Sequence, residues 1–238
     1  NHISLMNRRL VILGGGESGV GTAILGKKKG FEVFVSDFGK IKEKYKKVLL
    51  HHEIEWEEGS HTASRILSAE IVMKSPGIPD NVPIVLKLKE AGVKVISEIE
   101  FASRFTKALV IGITGSNGKT TTATLTYRIL KEAGLNVALG GNIGKSFAEE
   151  VSEEKYENFV LELSSFQLDG IENFAPHIAV LMNLSPDHLD RYDYSYEKYI
   201  ASKFRIAMNQ TEEDYFIYDG DDAEIVKWLS KTPIKSQL

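Results

Sequence analysis

Short, almost unbroken apolar runs alternate with longer mixed segments along the first hundred residues. Leu10-Val11-Ile12-Leu13 is followed by a helical pattern over residues 20–29 and by Phe31-Glu32-Val33-Phe34-Val35. Ile71-Val72-Met73, a helical pattern over residues 82–91 and Val93-Lys94-Val95-Ile96 continue the series. Strands separated by helices need crossover connections, which predicts a mainly parallel sheet and a Rossmann-like first domain. A second series opens at Ala108-Leu109-Val110-Ile111-Gly112-Ile113 and runs through a helix over residues 119–133 to Asn136-Val137-Ala138-Leu139. It continues with apolar runs at residues 159–163, 177–182 and 215–218 and a helix over residues 196–208. The expected fold class is α/β in two domains, residues 1–97 and 98–238, with the junction inside residues 97–107.

Composition narrows the function classes. The 238 residues are 42% hydrophobic with a net charge of -4, enough to bury a core and too little positive field to recruit nucleic acid or an anionic membrane. No run approaches the roughly 20 apolar residues of a membrane helix, and the start, Asn1 to Leu10, lacks the apolar stretch of a signal peptide. The absence of cysteine excludes disulfides and thiolate chemistry and suits a cytoplasmic location. The lysines of residues 40–47 and the acids of residues 149–157 read as solvated faces or turns, and His51, His52, His61 and His177 as surface or loop residues.

Gly14, Gly16 and Gly19 form a G-x-G-x-x-G between a strand and a helix, and Asp37 closes the next strand where a ribose-binding acid would stand. Such a loop lets backbone N–H groups and a helix start approach a diphosphate. On this segment alone a nicotinamide or flavin dinucleotide, another diphosphate such as a UDP-sugar, and a purely structural turn all remain open.

The second glycine loop says more. After the strand comes Thr114-Gly115-Ser116-Asn117-Gly118-Lys119-Thr120-Thr121, which opens a helix. Backbone amides there can cradle phosphates, Lys119 can reach their β/γ oxygens and the Thr120 hydroxyl can join Mg²⁺ coordination. The usual eight-residue pattern would place glycine where Ile113 stands, so the loop is a shortened one. It makes the second domain a P-loop α/β domain expected to bind a nucleoside triphosphate.

The G-S-N-G-K-T-T form resembles the Mur ligases and the related folylpolyglutamate synthases, which use ATP to activate a carboxylate for attack by an amine. Three further stretches resemble the D-glutamate-adding branch of the Mur ligases: Gly141-Asn142-Ile143-Gly144, Glu162-Leu163-Ser164-Ser165-Phe166-Gln167-Leu168, and Asn183-Leu184-Ser185-Pro186-Asp187-His188-Leu189-Asp190-Arg191-Tyr192. With Ser75-Pro76-Gly77-Ile78 the resemblance covers essentially the whole chain.

Taken alone, Glu162 is a strand-end acid near a phosphate loop, His188 a turn residue between two aspartates, and Lys203 a snorkelling lysine on an amphipathic helix. The resemblance implies more specific roles. ATP would lie on Gly115, Ser116, Asn117, Gly118, Lys119, Thr120 and Thr121. One Mg²⁺ would join Thr120 and Glu162, and a second would join Glu162, His188 and a carbamylated Lys203, whose modified side chain offers oxygens to a hard cation. UDP-N-acetylmuramoyl-L-alanine would be held by Glu17, Ser18, Asp37, Phe38, Ser75 and Gly77, and guided by Asn142, Ser164 and His188. Lys119, Glu162, His188 and Lys203 would carry catalysis, giving an acyl phosphate that the amine of D-glutamate attacks.

The resemblance further implies a monomer and a third domain, expected to lie beyond Leu238, so the expected chain binds the UDP-substrate without turning over. A folate-type ligase, a nicotinamide-dependent oxidoreductase and a non-catalytic nucleotide sensor are the rival readings.

Overall fold

The computed structural model describes residues 8–238. Part of the start of the chain that was read for a signal peptide therefore lies outside the described residues. Two compact units emerge, each an α/β layer structure. The first holds the described residues up to Phe105 together with Ser146–Glu153, and the second holds Thr106–Lys145 and Glu154–Leu238.

In the first unit five parallel strands lie in the order β3-β2-β1-β4-β5: β1 (Arg9–Leu13), β2 (Glu32–Asp37), β3 (Glu55–Glu58), β4 (Ile71–Lys74) and β5 (Lys94–Ile96). Central strand β1 pairs with β2 through Leu10↔Val33 and with β4 through Leu10↔Ile71. Helix-covered parallel strands are buried on both faces, which explains why four of the five β1 residues are fully enclosed while edge strand β3 reads Glu-Trp-Glu-Glu. On one face Val11, Leu13, Phe34, Val72, Val85 and Leu88 form a core under α3 (Ala63–Leu67) and α4 (Pro83–Glu90).

On the other face lies α1 (Glu17–Lys28), so close that a Cβ on Gly26 would stand 2.6 Å from Leu10. Helix α2 (Glu43–His51) carries the lysine run, most of it solvated as expected.

By packing, α5 (Glu98–Ser103) and α7 (Phe147–Ser152) belong to this first unit, although sequence reading places both beyond residue 97. The acids of residues 149–157 are therefore not uniformly solvated: Glu150 is buried, because α7 lays Phe147, Ala148 and Val151 against the unit's core.

The second unit repeats the layer scheme, with parallel strands ordered β10-β9-β6-β8-β7: β6 (Leu109–Thr114), β7 (Val137–Gly141), β8 (Asn158–Glu162), β9 (Ile178–Leu181) and β10 (Tyr215–Tyr218). Central β6 pairs with β8 through Ile113↔Glu162 and with β9 through Ile113↔Val180. Helix α6 (Lys119–Glu132) covers Ile113, Val137 and Val160 through Ala123. Ile113 is fully buried, so the strand simply runs one turn of pleat further before the loop begins. Helices α8 (Ser165–Asp169), α9 (Tyr196–Phe204) and α10 (Ala223–Lys231) complete the unit. Among the described residues no helix is long and apolar enough to cross a membrane.

Candidate functional site

Each unit presents a glycine loop at the carboxyl ends of its central strands, where open parallel sheets bind ligands. In the second unit the loop leaves β6 at Gly115 (φ 148°) and enters α6 through Gly118 (φ 82°), both in backbone regions that favour glycine. Lys119 folds back so that its Nζ donates to the Gly115 carbonyl at 2.7 Å. The next residue, Thr120, donates its hydroxyl to Glu162 Oε2 at 3.1 Å. Adjacency of β6 and β8 puts that carboxylate there, at the end of its strand and 4% exposed. A hydroxyl and a carboxylate beside a phosphate loop are the oxygen donors that magnesium prefers, so these residues fit the expected metal.

Lys203, on α9, is 2% exposed and not a snorkelling residue. Its Nζ donates to Gly115 O at 3.0 Å and to Thr114 Oγ1 at 3.2 Å, while the Thr114 hydroxyl donates to Leu163 O at 2.7 Å. Burial, reinforced by the nearby charge of Lys119, pushes the amine down to about 7, despite the opposing pull of Asp187, Asp169 and Glu162. A neutral amine is the form that can be carbamylated.

The sequence motifs around this loop meet in space. Gly141 adopts φ 90°, and a Cβ there would strike the Glu162 carbonyl at 2.2 Å. That close approach lets Asn142 N donate to the same carbonyl at 2.8 Å. Ser164 and Gln167 form a reciprocal capping box that starts α8.

His188 stands apart. It is held at φ 49°, pairs at 3.5 Å with Asp187, and lies 5.0 Å from the Phe166 ring, over which Arg191 also sits at 4.0 Å. No hydrogen bond or ion pair joins it to Glu162 or Lys203. Among the described residues no group of three or more His, Asp or Glu side chains is arranged to hold a metal ion.

In the first unit Gly14 (φ 102°) and Gly19 are sterically required, since a Cβ on Gly19 would meet the Gly14 carbonyl at 1.8 Å. Asp37 accepts from Gly15 N at 2.8 Å and from Gly39 N at 2.9 Å, which fixes the loop against the end of β2. Ser18 reaches Ser75 Oγ at 3.4 Å, and Glu17 accepts from Ser146 N at 3.4 Å. Beside this loop lies a cavity of about 510 Å³ lined by Asp37, Phe38, His61, Gly77, Ile78 and Lys87, among others. Phe38 is 72% exposed, an apolar ring on the cavity wall available for stacking.

Comparison with known proteins now bears on both loops. The family described as the Mur ligase middle domain matches residues 113–237, and the MurD N-terminal domain matches residues 9–82. The chain belongs to the Mur ligase family. The UDP-N-acetylmuramoylalanine–D-glutamate ligase of Christiangramia forsetii is 66% identical over 232 residues, covering 98% of this chain and 52% of that protein. Its counterpart in Bacteroides fragilis is 59% identical over 231 residues, again 97% of this chain and 52% of the relative. This Mur ligase chain thus spans about half the length of the curated relatives it matches.

Among solved structures, the UDP-N-acetylmuramate:L-alanyl-gamma-D-glutamyl-meso-diaminopimelate ligase of Neisseria meningitides superposes with TM-score 0.68 at 21% identity. That match covers 96% of this chain and 76% of the other. The UDP-N-acetylmuramate-alanine ligase of Thermotoga maritima gives 0.56 at 21% identity, covering 90% and 49%. Both establish the Mur ligase fold of two parallel-sheet domains.

Two residues of this Mur ligase chain escaped sequence reading. Asn183 Oδ1 accepts from Ser116 N at 3.0 Å and Asn117 N at 2.9 Å, and its Nδ2 donates to Asn117 O at 2.9 Å, so one carboxamide holds the phosphate loop. Its place in the Asn183-to-Tyr192 motif was visible, but its partners were not. His61 lies in a loop as expected, but it also lines the first unit's cavity, with Nδ1 2.7 Å from Ser36 Oγ. His177 lies in the bend before β9, a loop residue as expected, its Nδ1 3.0 Å from Asp214 Oδ1.

Proposed function

We propose that this chain carries the UDP-substrate and ATP sites of a ligase that joins D-glutamate to UDP-N-acetylmuramoyl-L-alanine in the cytoplasm. The observation that carries the reading is the meeting of Thr120, Lys119 and Glu162 at the head of the phosphate loop, in a chain 66% identical to a relative named for that activity. The first unit would bind the UDP end and the second, Thr106–Lys145 with Glu154–Leu238, the ATP.

In this reading Gly115 to Thr121 receive the triphosphate through their amides, with Asn183 yielding the Ser116 and Asn117 N–H groups to it. Lys119 turns from the Gly115 carbonyl to the phosphate oxygens. Magnesium, when bound by Thr120 and Glu162, would neutralise charge as two anions approach. Asn142, Ser164 and His188 orient the muramoyl-alanine carboxylate, and a carbamate on Lys203 would turn a buried amine into an oxygen donor that could hold a second ion. For His188 to contribute to holding that ion, it would have to leave Asp187. Phosphoryl transfer then yields an acyl phosphate, which the amine of D-glutamate attacks with release of phosphate. The protein acts as a monomer.

Calorimetric titration tests the proposal with UDP-N-acetylmuramoyl-L-alanine, magnesium-ATP and NADH as separate ligands on a sample shown by melting to be folded. Saturable binding of the first two and none of NADH is expected. Binding of NADH alone, or of nothing, would overturn it.

A further inference from the structure

The cavity of the first unit contains a hydrogen-bond relay whose proton positions follow from the donors available. Ser36 is fully buried, and its Oγ lies 2.8 Å from Glu57 Oε1 and 2.7 Å from His61 Nδ1. Glu57 also accepts from Thr62 N at 2.7 Å and Thr62 Oγ1 at 2.6 Å, and these bonds, outweighing its burial, hold it below the usual carboxylate range. An ionised carboxylate can only accept, so the single hydroxyl proton of Ser36 goes to Glu57.

Ser36 Oγ must then accept from His61, which fixes the proton of a neutral imidazole on Nδ1. The ring is neutral because burial lowers it from its ordinary 6.5 against the pull of Glu57 and Asp37. Nε2 is left as a lone-pair acceptor with no partner among the described residues, on a ring that lines the cavity 5.6 Å from the Phe38 ring.

We infer that His61 is a specificity-determining residue that accepts the imide N–H of a uracil base through Nε2, with Phe38 alongside for stacking. The inference rests on the reading of this unit as a UDP-substrate site. Uracil offers a donor at its N3 where cytosine offers a second acceptor. A fixed acceptor on the protein therefore favours the first base and faces a lone pair on the second, and leaving such polar groups unpaired is what makes discrimination large. The Glu57–Ser36–His61 relay serves as the tautomer lock, since without it the proton is free to move to Nε2 and reverse the preference.

The test compares UDP, CDP and N3-methyl-UDP by calorimetry on the full chain and on His61→Phe, which keeps a ring beside Phe38 and removes the acceptor. Wild type is expected to prefer UDP over CDP and over N3-methyl-UDP by roughly tenfold or more. In His61→Phe the preference should collapse toward unity, through loss of UDP affinity and a gain for CDP whose N3 lone pair no longer faces Nε2, with His61→Gln restoring part of the preference. If wild type binds N3-methyl-UDP as well as UDP, or if His61→Phe keeps the UDP:CDP ratio, the role of His61 is wrong and the UDP site stands. If folded wild type binds no UDP at all, the UDP-substrate reading itself fails, and this inference with it. Should His61→Phe not fold, His61→Leu, which also removes the acceptor, takes its place in the same comparison, and an unchanged UDP:CDP ratio there overturns the role of His61.

Discussion

In the first unit the amide of Gly15 is held by the carboxylate of Asp37, whereas in the second the amides of Ser116 and Asn117 are held by the carboxamide of Asn183. Both loops need glycine to turn, and both sit at strand ends. The difference lies in what a phosphate meets on arrival. Asp37 already occupies the Gly15 and Gly39 amides, so in the proposed function a diphosphate at this loop would be left the helix start around Gly16, where a Cβ would find nothing within 4 Å. Asn183 is neutral and shares its loop with Lys119, so phosphate oxygens can replace it as acceptor. Two glycine loops at strand ends thus differ in the side chain that ties them, an aspartate in one and an asparagine in the other.

Each unit also buries one group that folding shifts strongly, an amine in the second and a carboxyl in the first, which predicts opposite responses to pH. Lys203 falls from 10.5 to about 7 in the folded chain, so folding excludes a proton in that window and stability should rise by on the order of 5 kcal/mol as pH climbs from about 7 to 10.5. Glu98, fully enclosed with Oε2 accepting from Ala148 N at 3.1 Å and Oε1 unpartnered, is pushed by burial from 4.5 to about 7. Folding then takes up a proton, and stability should fall by roughly 3 kcal/mol as pH rises from 4.5 to about 7. Urea unfolding across pH should show Lys203→Met losing the alkaline rise and Glu98→Gln losing the acidic fall. Profiles identical to wild type would remove the comparison.

Smaller effects sharpen the contrast between the loops. Glu162→Gln should weaken magnesium-dependent nucleotide binding roughly 100-fold while UDP affinity stays within about twofold, because only the second loop depends on that carboxylate. Equal losses for both ligands would argue that the two sites are not independent. Asn183→Asp makes the second loop resemble the first and should cost roughly tenfold in ATP affinity, more than Asn183→Ala, through like-charge repulsion. An aspartate variant that binds ATP as wild type does would show that the sign of the tether is irrelevant. Ser164→Ala, which removes the α8 cap, should lower stability by about 1 kcal/mol, as read from the urea midpoint.

Much of the sheet architecture was legible because helix-covered parallel strands are apolar throughout, as in Leu10 to Leu13 and Phe159 to Leu161. Edge strand β3 was not, since Glu-Trp-Glu-Glu carries no apolar pattern. Helix α7 was hidden for a related reason: its six residues carry two adjacent acids, and only tertiary packing reveals that Glu150 faces inward. Thr120 and Glu162 were readable as a pair from a strand, a Gly-Lys-Thr loop and a strand-end acid. Lys203 required the family resemblance, because an amphipathic helix gives no sign that one of its lysines is enclosed. His61 and Asn183 were illegible as site residues, since their partners Ser36 and Ser116 lie 25 and 67 positions away and meet them only after folding.

The assignment of Ser146–Glu153 to the first unit bears on how the protein is made. The chain crosses from one unit to the other at residues 105–106, 145–146 and 153–154. A ribosome therefore cannot release a finished first unit until Glu153 has emerged, by which time β6, α6 and β7 of the second are already outside. Until α7 arrives, the surfaces of α1 and α5 that it covers remain open, and a Cβ on Gly21, which in the folded chain would strike Ser146 Oγ at 1.9 Å, meets no obstacle. Vectorial synthesis, which ordinarily lets an N-terminal domain fold first, is here obliged to fold two units with overlapping schedules.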